Sequence, residues 1–206
     1  KITIVNGKAE FPLLIRYPNW VKPGEFSVKV NGKPVSVITG PSSYVAIERK
    51  WKKGDVVDVE FPMHSSIKYL PNEPQYIALM HGPIVLGMKT GTEDMAHLIA
   101  DDSRFGQYAS GAKLSTDQAP ILINNDVESI ADQLEPIPGK PLHFTLKTRM
   151  ENAIHNEIQP FFEIHDSRYM MYWLALSEDS YRGLLNDLTK AEQERQALEA
   201  RTVDKV

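Results

Sequence analysis

Apolar and polar positions alternate through the first third of the chain. In Phe26-Ser27-Val28-Lys29-Val30 the apolar residues stand two apart. Tyr44 to Arg49 puts Val45 and Ile47 on one face, and Asp55 to Phe61 sends Val57, Val59 and Phe61 one way and Asp58 and Glu60 the other. A period of two predicts half-buried strands with one wet face. Asn31-Gly32, Gly40-Pro41 and Lys53-Gly54-Asp55 separate them as turns, and Asn-Gly between apolar runs is a strong hairpin signal because both residues tolerate positive φ. Short strands at this spacing predict an antiparallel sandwich.

The pattern then changes. Tyr76–Leu79 and Pro83–Met88 are nearly all apolar, and so is Arg168–Leu176. Strands of this kind need cover on both faces. In the last, Tyr169, Met171, Trp173 and Ala175 are expected on one face, with Met170, Tyr172, Leu174 and Leu176 on the other. Pro71-Asn72-Glu73-Pro74 is a break. Further strands are expected at 95–100, 120–123, 141–147 and 159–165, with a helical turn over 127–134. After Ser177, a plausible N-cap, Tyr181, Leu184, Leu185 and Leu188 fall on one helical stripe. From Lys190 onward the charged run reads as a solvated helical face.

These patterns predict a mostly β chain: two antiparallel β-sandwich units with a C-terminal α-helix. The expected division is a first β-sandwich unit over 1–80, a second over 81–177 with a loop-rich insert at 90–133, and a helix and tail over 178–206.

Composition narrows the chemistry. The chain has 206 residues, with 27 acidic and 23 basic side chains and a formal charge of −4. That balance argues against nucleic acid as a partner, since phosphate-backbone binding needs a surplus of Lys and Arg. Apolar residues make up 42%, enough for a packed core. No apolar stretch approaches the roughly 20 residues that span a bilayer, so no membrane partner is expected. With no cysteine, disulfides, thiolate metal sites and a cysteine nucleophile are excluded. The chain opens on Lys1 in a strand-like KITIV run without a leader pattern, so it is expected to be an internal piece of a longer protein.

Candidate chemistry is sparse. His64, His81, His97, His143, His155 and His165 show no i+2 or i+4 pairing, so no metal site is expected. Asp101-Asp102, and Glu163 with Asp166, are carboxylates that could in principle flank a glycosidic bond. Alternation in a strand would place Glu163 and His165 on one face and Asp166 on the other, which argues against a triad. Ser103 and Ser167 sit in Asp-Ser-Arg strings without the glycines of a nucleophile elbow. Trp20 and Trp51 border turns, where an exposed ring can stack on a sugar. With Asp102 and Arg104 they are the carbohydrate-binding candidates, although core or interface packing is the preferred reading of the two tryptophans.

Several strings read together. Arg16-Tyr17-Pro18-Asn19-Trp20 precedes Val30-Asn31-Gly32, then Tyr44 to Asp55 in the form Y-x-x-I-x-R-x-W-x-x-G-D, Phe61-Pro62-Met63, and Ala78 to Leu86. This order resembles the region that follows the catalytic barrel in glycoside hydrolase family 127, the β-L-arabinofuranosidase-like enzymes. The strings 100–104 and 160–173 resemble the C-terminal module of its relatives. The resemblance implies an α-helical barrel carrying the active site, with β-sandwich domains after it. It also implies a cysteine nucleophile beside a zinc held by cysteines and a glutamate. None of those cysteines is present, so no catalytic residue and no cofactor is carried over. What it implies for this chain is a non-catalytic accessory region packed on the catalytic barrel of the same parent chain. Plant-type glycans are the implied target, and the implied location is periplasmic or extracellular. A carbohydrate-binding module and a free-standing glycosidase remain as alternatives.

Overall fold

A computed structural model describes residues 1–93, 95, 115 and 118–203. The fold is mostly β with a C-terminal helix. The chain divides into two compact units. Unit 1 comprises Lys1–Ser65 with His81–Pro83, and unit 2 comprises Ser66–Met80 with Ile84–Val206.

Unit 1 is built from β1 (Ile2–Thr3), β2 (Lys8–Tyr17), β3 (Ser27–Val30), β4 (Lys33–Pro34), β5 (Ser43–Lys52) and β6 (Val56–Glu60). Four of them form a sheet in the order β1-β6-β3-β4, and β2 and β5 pair as a ten-residue antiparallel ribbon. Their inward side chains meet in one core, including Ile15, Tyr17, Phe26, Val28, Val45, Ile47, Trp51 and Val57. Period-two patterning supplied these positions. The β3–β4 turn is the expected Asn-Gly hairpin, with φ of 52° at Asn31 and 78° at Gly32. That turn is locked to the next one. The Asn31 amide donates to Asp55 Oδ1 at 2.8 Å, and the Lys52 backbone N–H donates to Asp55 Oδ2 at 2.9 Å. These bonds, the Asn31 one foremost, hold the Asp55 carboxyl below its ordinary value of 3.8. Strand β2 carried no separate strand signal in the sequence, because Pro12 interrupts it. The ribbon has strand pairing on one side of β2 only, which is where a proline without an N–H can sit.

Unit 2 contains β7 (Ser65–Leu70), β8 (Glu73–His81), β9 (Ile84–Gly91), β10 (Ile121–Ile123), β11 (Leu134–Pro136), β12 (Phe144–Leu146), β13 (Arg149–Glu151), β14 (Glu157–Pro160), β15 (Arg168–Met170), β16 (Trp173–Leu176) and α1 (Glu178–Val203). Ends of β7 and β8 belong to unit 1. The main path of the ten-stranded sheet runs β11-β12-β14-β9-β8-β16-β10-β13, with β7 branching from β8 and β15 from β9. Its pairs are antiparallel except for β10 and β16, which run parallel. A 3-10 turn at Val127–Gln133 fulfils the expected helical turn, and the strand expected at 120–123 is β10. The one expected at 95–100 lies outside the described residues.

Two expectations are corrected. The run 168–176 is two strands, not one. Arg168–Met170 pairs with β9, whereas Trp173–Leu176 pairs with β8 and β10, so the chain bends at Met171-Tyr172 as it changes partners. Tyr169 and Tyr172 are consequently exposed, while all of β16 is buried. The run 159–165 is also broken. After Pro160 a 3-10 turn, Phe161–Glu163, replaces the strand, and strand alternation no longer places Glu163, His165 and Asp166.

Helix α1 begins as expected, with Ser177 Oγ accepting from the Ser180 N–H at 3.1 Å. Tyr181 and Leu184 pack on the cluster of Ile121, Ile123, Leu174 and Leu176. Leu185 and Leu188 of the same stripe stay exposed, as do residues 190–199.

Two tryptophans make a controlled comparison. Trp51 is 1% exposed and Trp173 is 0% exposed. Trp51 Nε1 donates to the Phe11 carbonyl at 3.0 Å, whereas Trp173 Nε1 has no acceptor among the described residues. Trp51→Phe therefore removes a made hydrogen bond, and Trp173→Phe removes an unsatisfied donor. By chemical denaturation followed by circular dichroism, Trp51→Phe is expected to lose about 1 kcal/mol more stability than Trp173→Phe. Equal losses would show that the indole–carbonyl bond contributes nothing.

Candidate functional site

A grouping of aromatic and titratable side chains in unit 1 lies around the loop after β2. Tyr17 fixes that loop. Its hydroxyl donates to the Lys22 carbonyl at 2.9 Å and accepts from the Gly24 N–H at 3.1 Å. The loop thereby presents Trp20 and Glu25. A chain of rings runs outward from the core: Tyr17 on Phe26 with centroids 4.6 Å apart, Phe26 on Phe61 at 5.3 Å, and Phe61 on Trp20 at 6.1 Å. Trp20 and Glu25 are half-buried, and Phe61 and Met63 are partly exposed.

Beside the rings stand two pairs of polar groups. His64 Nε2 meets Glu25 Oε2. Ser65 Oγ and His81 Nδ1 are 3.1 Å apart. The hairpin tip carrying His81 is held by a hydrogen bond from the Gly82 N–H to the His64 carbonyl at 2.9 Å. A Cβ at residue 82 would lie 2.7 Å from Met63 Cγ, so glycine permits this close approach. Burial, and then the neighbouring His64, lower the His81 imidazole below its ordinary value of 6.5. A serine–histidine pair is the start of a nucleophilic triad, but a triad needs its carboxylate on that same histidine. Glu25 is engaged with His64 instead.

A second cluster lies in unit 2. His143 Nδ1 is 3.0 Å from the Pro141 carbonyl and so must carry a proton there. Its Nε2 faces Glu163 Oε2 at 3.7 Å and Glu157 Oε1 at 4.0 Å. Lys140 Nζ donates to both Glu157 oxygens, at 2.9 and 3.1 Å. This bond, with the charges of Lys140, His143 and His155, keeps Glu157 below its ordinary value of 4.5. A glycosidase general acid needs the opposite shift. Among the described residues no group of three or more side chains has the arrangement of a metal site, and no helix is long and apolar enough to cross a membrane.

Of the carbohydrate-binding candidates from the sequence, Trp20 and Trp51 lie among the described residues. Trp51 is a core residue, with Arg49 stacked over its ring at 5.3 Å, and offers no face to a sugar. Trp20 joins the aromatic chain. Asp102 and Arg104 lie outside the described residues, together with Asp101, Ser103 and His97. Ser167 is structural, donating to the Gly91 carbonyl at 2.9 Å. The pairs at Glu25–His64 and Ser65–His81 were invisible to spacing, because His81 reaches the cluster only when the β8–β9 hairpin returns.

The His81 shift sets a pH dependence. The folded protein binds this proton less readily than the unfolded chain, so its contribution is complete above pH 6.5 and falls as pH drops through the folded value. His81→Gln keeps a hydrogen-bonding group toward Ser65 without the titration. The decline in Tm between pH 7 and pH 5 is expected to be smaller in this variant, with Glu25 and His64 unchanged. Identical pH profiles would refute the assignment.

Known proteins resemble both units. A family model for the Beta-L-arabinofuranosidase, GH127 middle domain matches residues 1–63. A second, for a domain of unknown function (DUF4986), matches residues 66–175. No curated protein sequence matches the chain. Among solved structures, a GH127 beta-arabinofuranosidase aligns with a TM-score of 0.53 at 18% identity, covering 84% of this chain and 30% of that one. A GH127 beta-L-arabinofuranosidase from Geobacillus stearothermophilus T6 aligns at 0.49 and 18% identity, covering 82% and 27%. Likeness at this identity speaks for the fold, and the chain spans less than a third of the length of these proteins. With more than half of its residues under one family model, the chain belongs to the DUF4986 family, and its residues 1–63 match the GH127 middle domain.

Proposed function

We propose that this chain is a non-catalytic β accessory region of a GH127-like glycoside hydrolase, packing on the catalytic barrel of the same parent chain. The carrying observation is the pairing of a GH127 middle-domain match over 1–63 with coverage of only 30% of a solved GH127 enzyme. The lack of cysteine supports the reading, because the residues that the resemblance gives to catalysis are not in this chain. So does the outward face of the β2–β5 ribbon. Leu14 and Ala46 are register partners and both exposed, and Arg16 stacks on exposed Tyr44 at 5.6 Å. Apolar side chains on a wet sheet face suit a covering partner.

Two measurements test this. The purified chain is expected to release no aryl group from aryl arabinofuranosides, while the longer parent protein turns them over. Hydrolysis by the isolated chain would overturn the proposal. Leu14→Glu is expected to leave the Tm of the isolated chain unchanged, since the side chain is already in water, and to lower that of the parent protein. An unchanged parent Tm would remove this face from the packing.

A further inference from the structure

The chain contains one tetrapeptide twice, as Val5-Asn6-Gly7-Lys8 and as Val30-Asn31-Gly32-Lys33. We propose that the first copy is a site of spontaneous deamidation at Asn6, and that hydrogen bonding in the second protects Asn31 from the same reaction. Asparagine before glycine is chemically labile because no side chain on the next residue crowds its backbone nitrogen. That nitrogen, its proton passed to hydroxide, bonds to the side-chain carbonyl carbon of the asparagine. The amide carbon–nitrogen bond then breaks, and ammonia leaves with a proton taken from water. The product is a five-membered succinimide ring. One water opens the ring at either carbonyl and leaves aspartate or isoaspartate. The net exchange is one water in and one ammonia out, so no other reagent is needed.

With the same flanking residues, the two copies share their local reactivity, and both asparagines are exposed. Their bonding differs. Asn31 lies in the β3–β4 turn with φ of 52°. Its side-chain amide donates to Asp55 Oδ1 at 2.8 Å, and its Oδ1 accepts from the Val56 N–H at 2.8 Å. Its own backbone N–H donates to the Val56 carbonyl at 2.8 Å. The amide is thus held at both ends, and its carbon reaches the Gly32 nitrogen only after both side-chain bonds break. Asn6 lies in the bend between β1 and β2, where its side chain makes no hydrogen bond to a described residue. Ring closure there requires no bond to break first. Placement also decides what the product does. A carboxylate at residue 6 stays in water. At residue 31 it would replace the donor to Asp55 by a second negative charge at hydrogen-bond distance, which opposes folding.

Peptide mapping by mass spectrometry tests the proposal on the folded chain, held at pH 8 and 37 °C in water labelled with heavy oxygen. Trypsin releases Asn6 within Ile2–Lys8 and Asn31 within Val30–Arg49, since Lys33 precedes Pro34 and is not cut, so each site is followed separately. Asn6 is expected to convert, with uptake of one heavy oxygen, at least about tenfold faster than Asn31, the factor for hydrogen bonds worth about 1.4 kcal/mol in all. In urea, where the β3–β4 turn is lost, the two rates are expected to converge. Asn6→Gln, which would have to close a larger ring, is expected to abolish the label in the first peptide. Asn6→Asp is expected to melt like the unaltered chain and Asn31→Asp at a lower temperature. Equal rates in the folded chain, an Asn6 that reacts only in urea, or a rate ratio that survives in urea would overturn the proposal. Equal melting of the two aspartate variants would remove Asp55 as the protecting contact. None of these outcomes bears on whether the chain is an accessory region, so the two proposals fail independently.

Discussion

Unit 2 depends on burying β16 from both sides. Trp173 and Ala175 enter one hydrophobic cluster, Leu174 and Leu176 another. A four-residue strand without one polar position has no wet face, so it folds only if separate layers cover it. The sheet supplies β8 and β10 as neighbours on its two edges, and the first turns of α1 supply Tyr181 and Leu184 over one face. This fixes where α1 starts. The Ser177 cap lies directly after the last buried residue, so the change from strand to helix occurs where burial ends. The rest of the helix has no such duty, and its ion pairs, Arg195 with Glu192 and Glu199, are exposed and contribute little.

Unit 1 solves a different problem. Its strands have one dry face each, so two small sheets close on a single core, and the constraint moves to the turns. Asp55 is buried among polar groups that satisfy it, from Asn31, Lys52 and nearby Arg49 at 3.5 Å. The carboxylate thus joins the β3–β4 turn to the β5–β6 turn. A buried acid without those donors would cost far more than the pair of turns could return. The ring chain from Tyr17 to Trp20 then carries the order of the core to the surface.

Across both units, titratable groups are spent on anchoring. Glu25 holds His64, Lys140 bonds both oxygens of Glu157, and Arg149 bridges Glu151 and Glu178. Catalytic pairs work by pushing two neighbouring groups to opposite protonation states. Glu157 is instead stabilised in its charged form, and Glu25 meets His64. Satisfied charges of this kind, among the described residues, are what the proposed accessory role calls for, because a scaffold gains from charges that are satisfied and loses from charges that are poised.

Local pattern was enough for much of the architecture. Period-two alternation located β3, β5 and β6, Asn31-Gly32 marked the β3–β4 hairpin, and the all-apolar runs marked β8, β9 and β16 as interior. Such features are legible because side-chain periodicity and turn conformation are properties of adjacent residues. Strand β2 was hidden by Pro12, which local propensity penalises and only a free strand edge tolerates. The bend at Met171-Tyr172 was equally hidden, since Arg168–Met170 and Trp173–Leu176 choose different partner strands and no neighbouring residue records that choice. For the same reason Tyr169 read as buried and became exposed. The sequence by itself decided which segments are extended and which must be dry. Which strand each one meets, and so which rings and charges face water, followed only from long-range pairing, where distant backbone hydrogen bonds set the register.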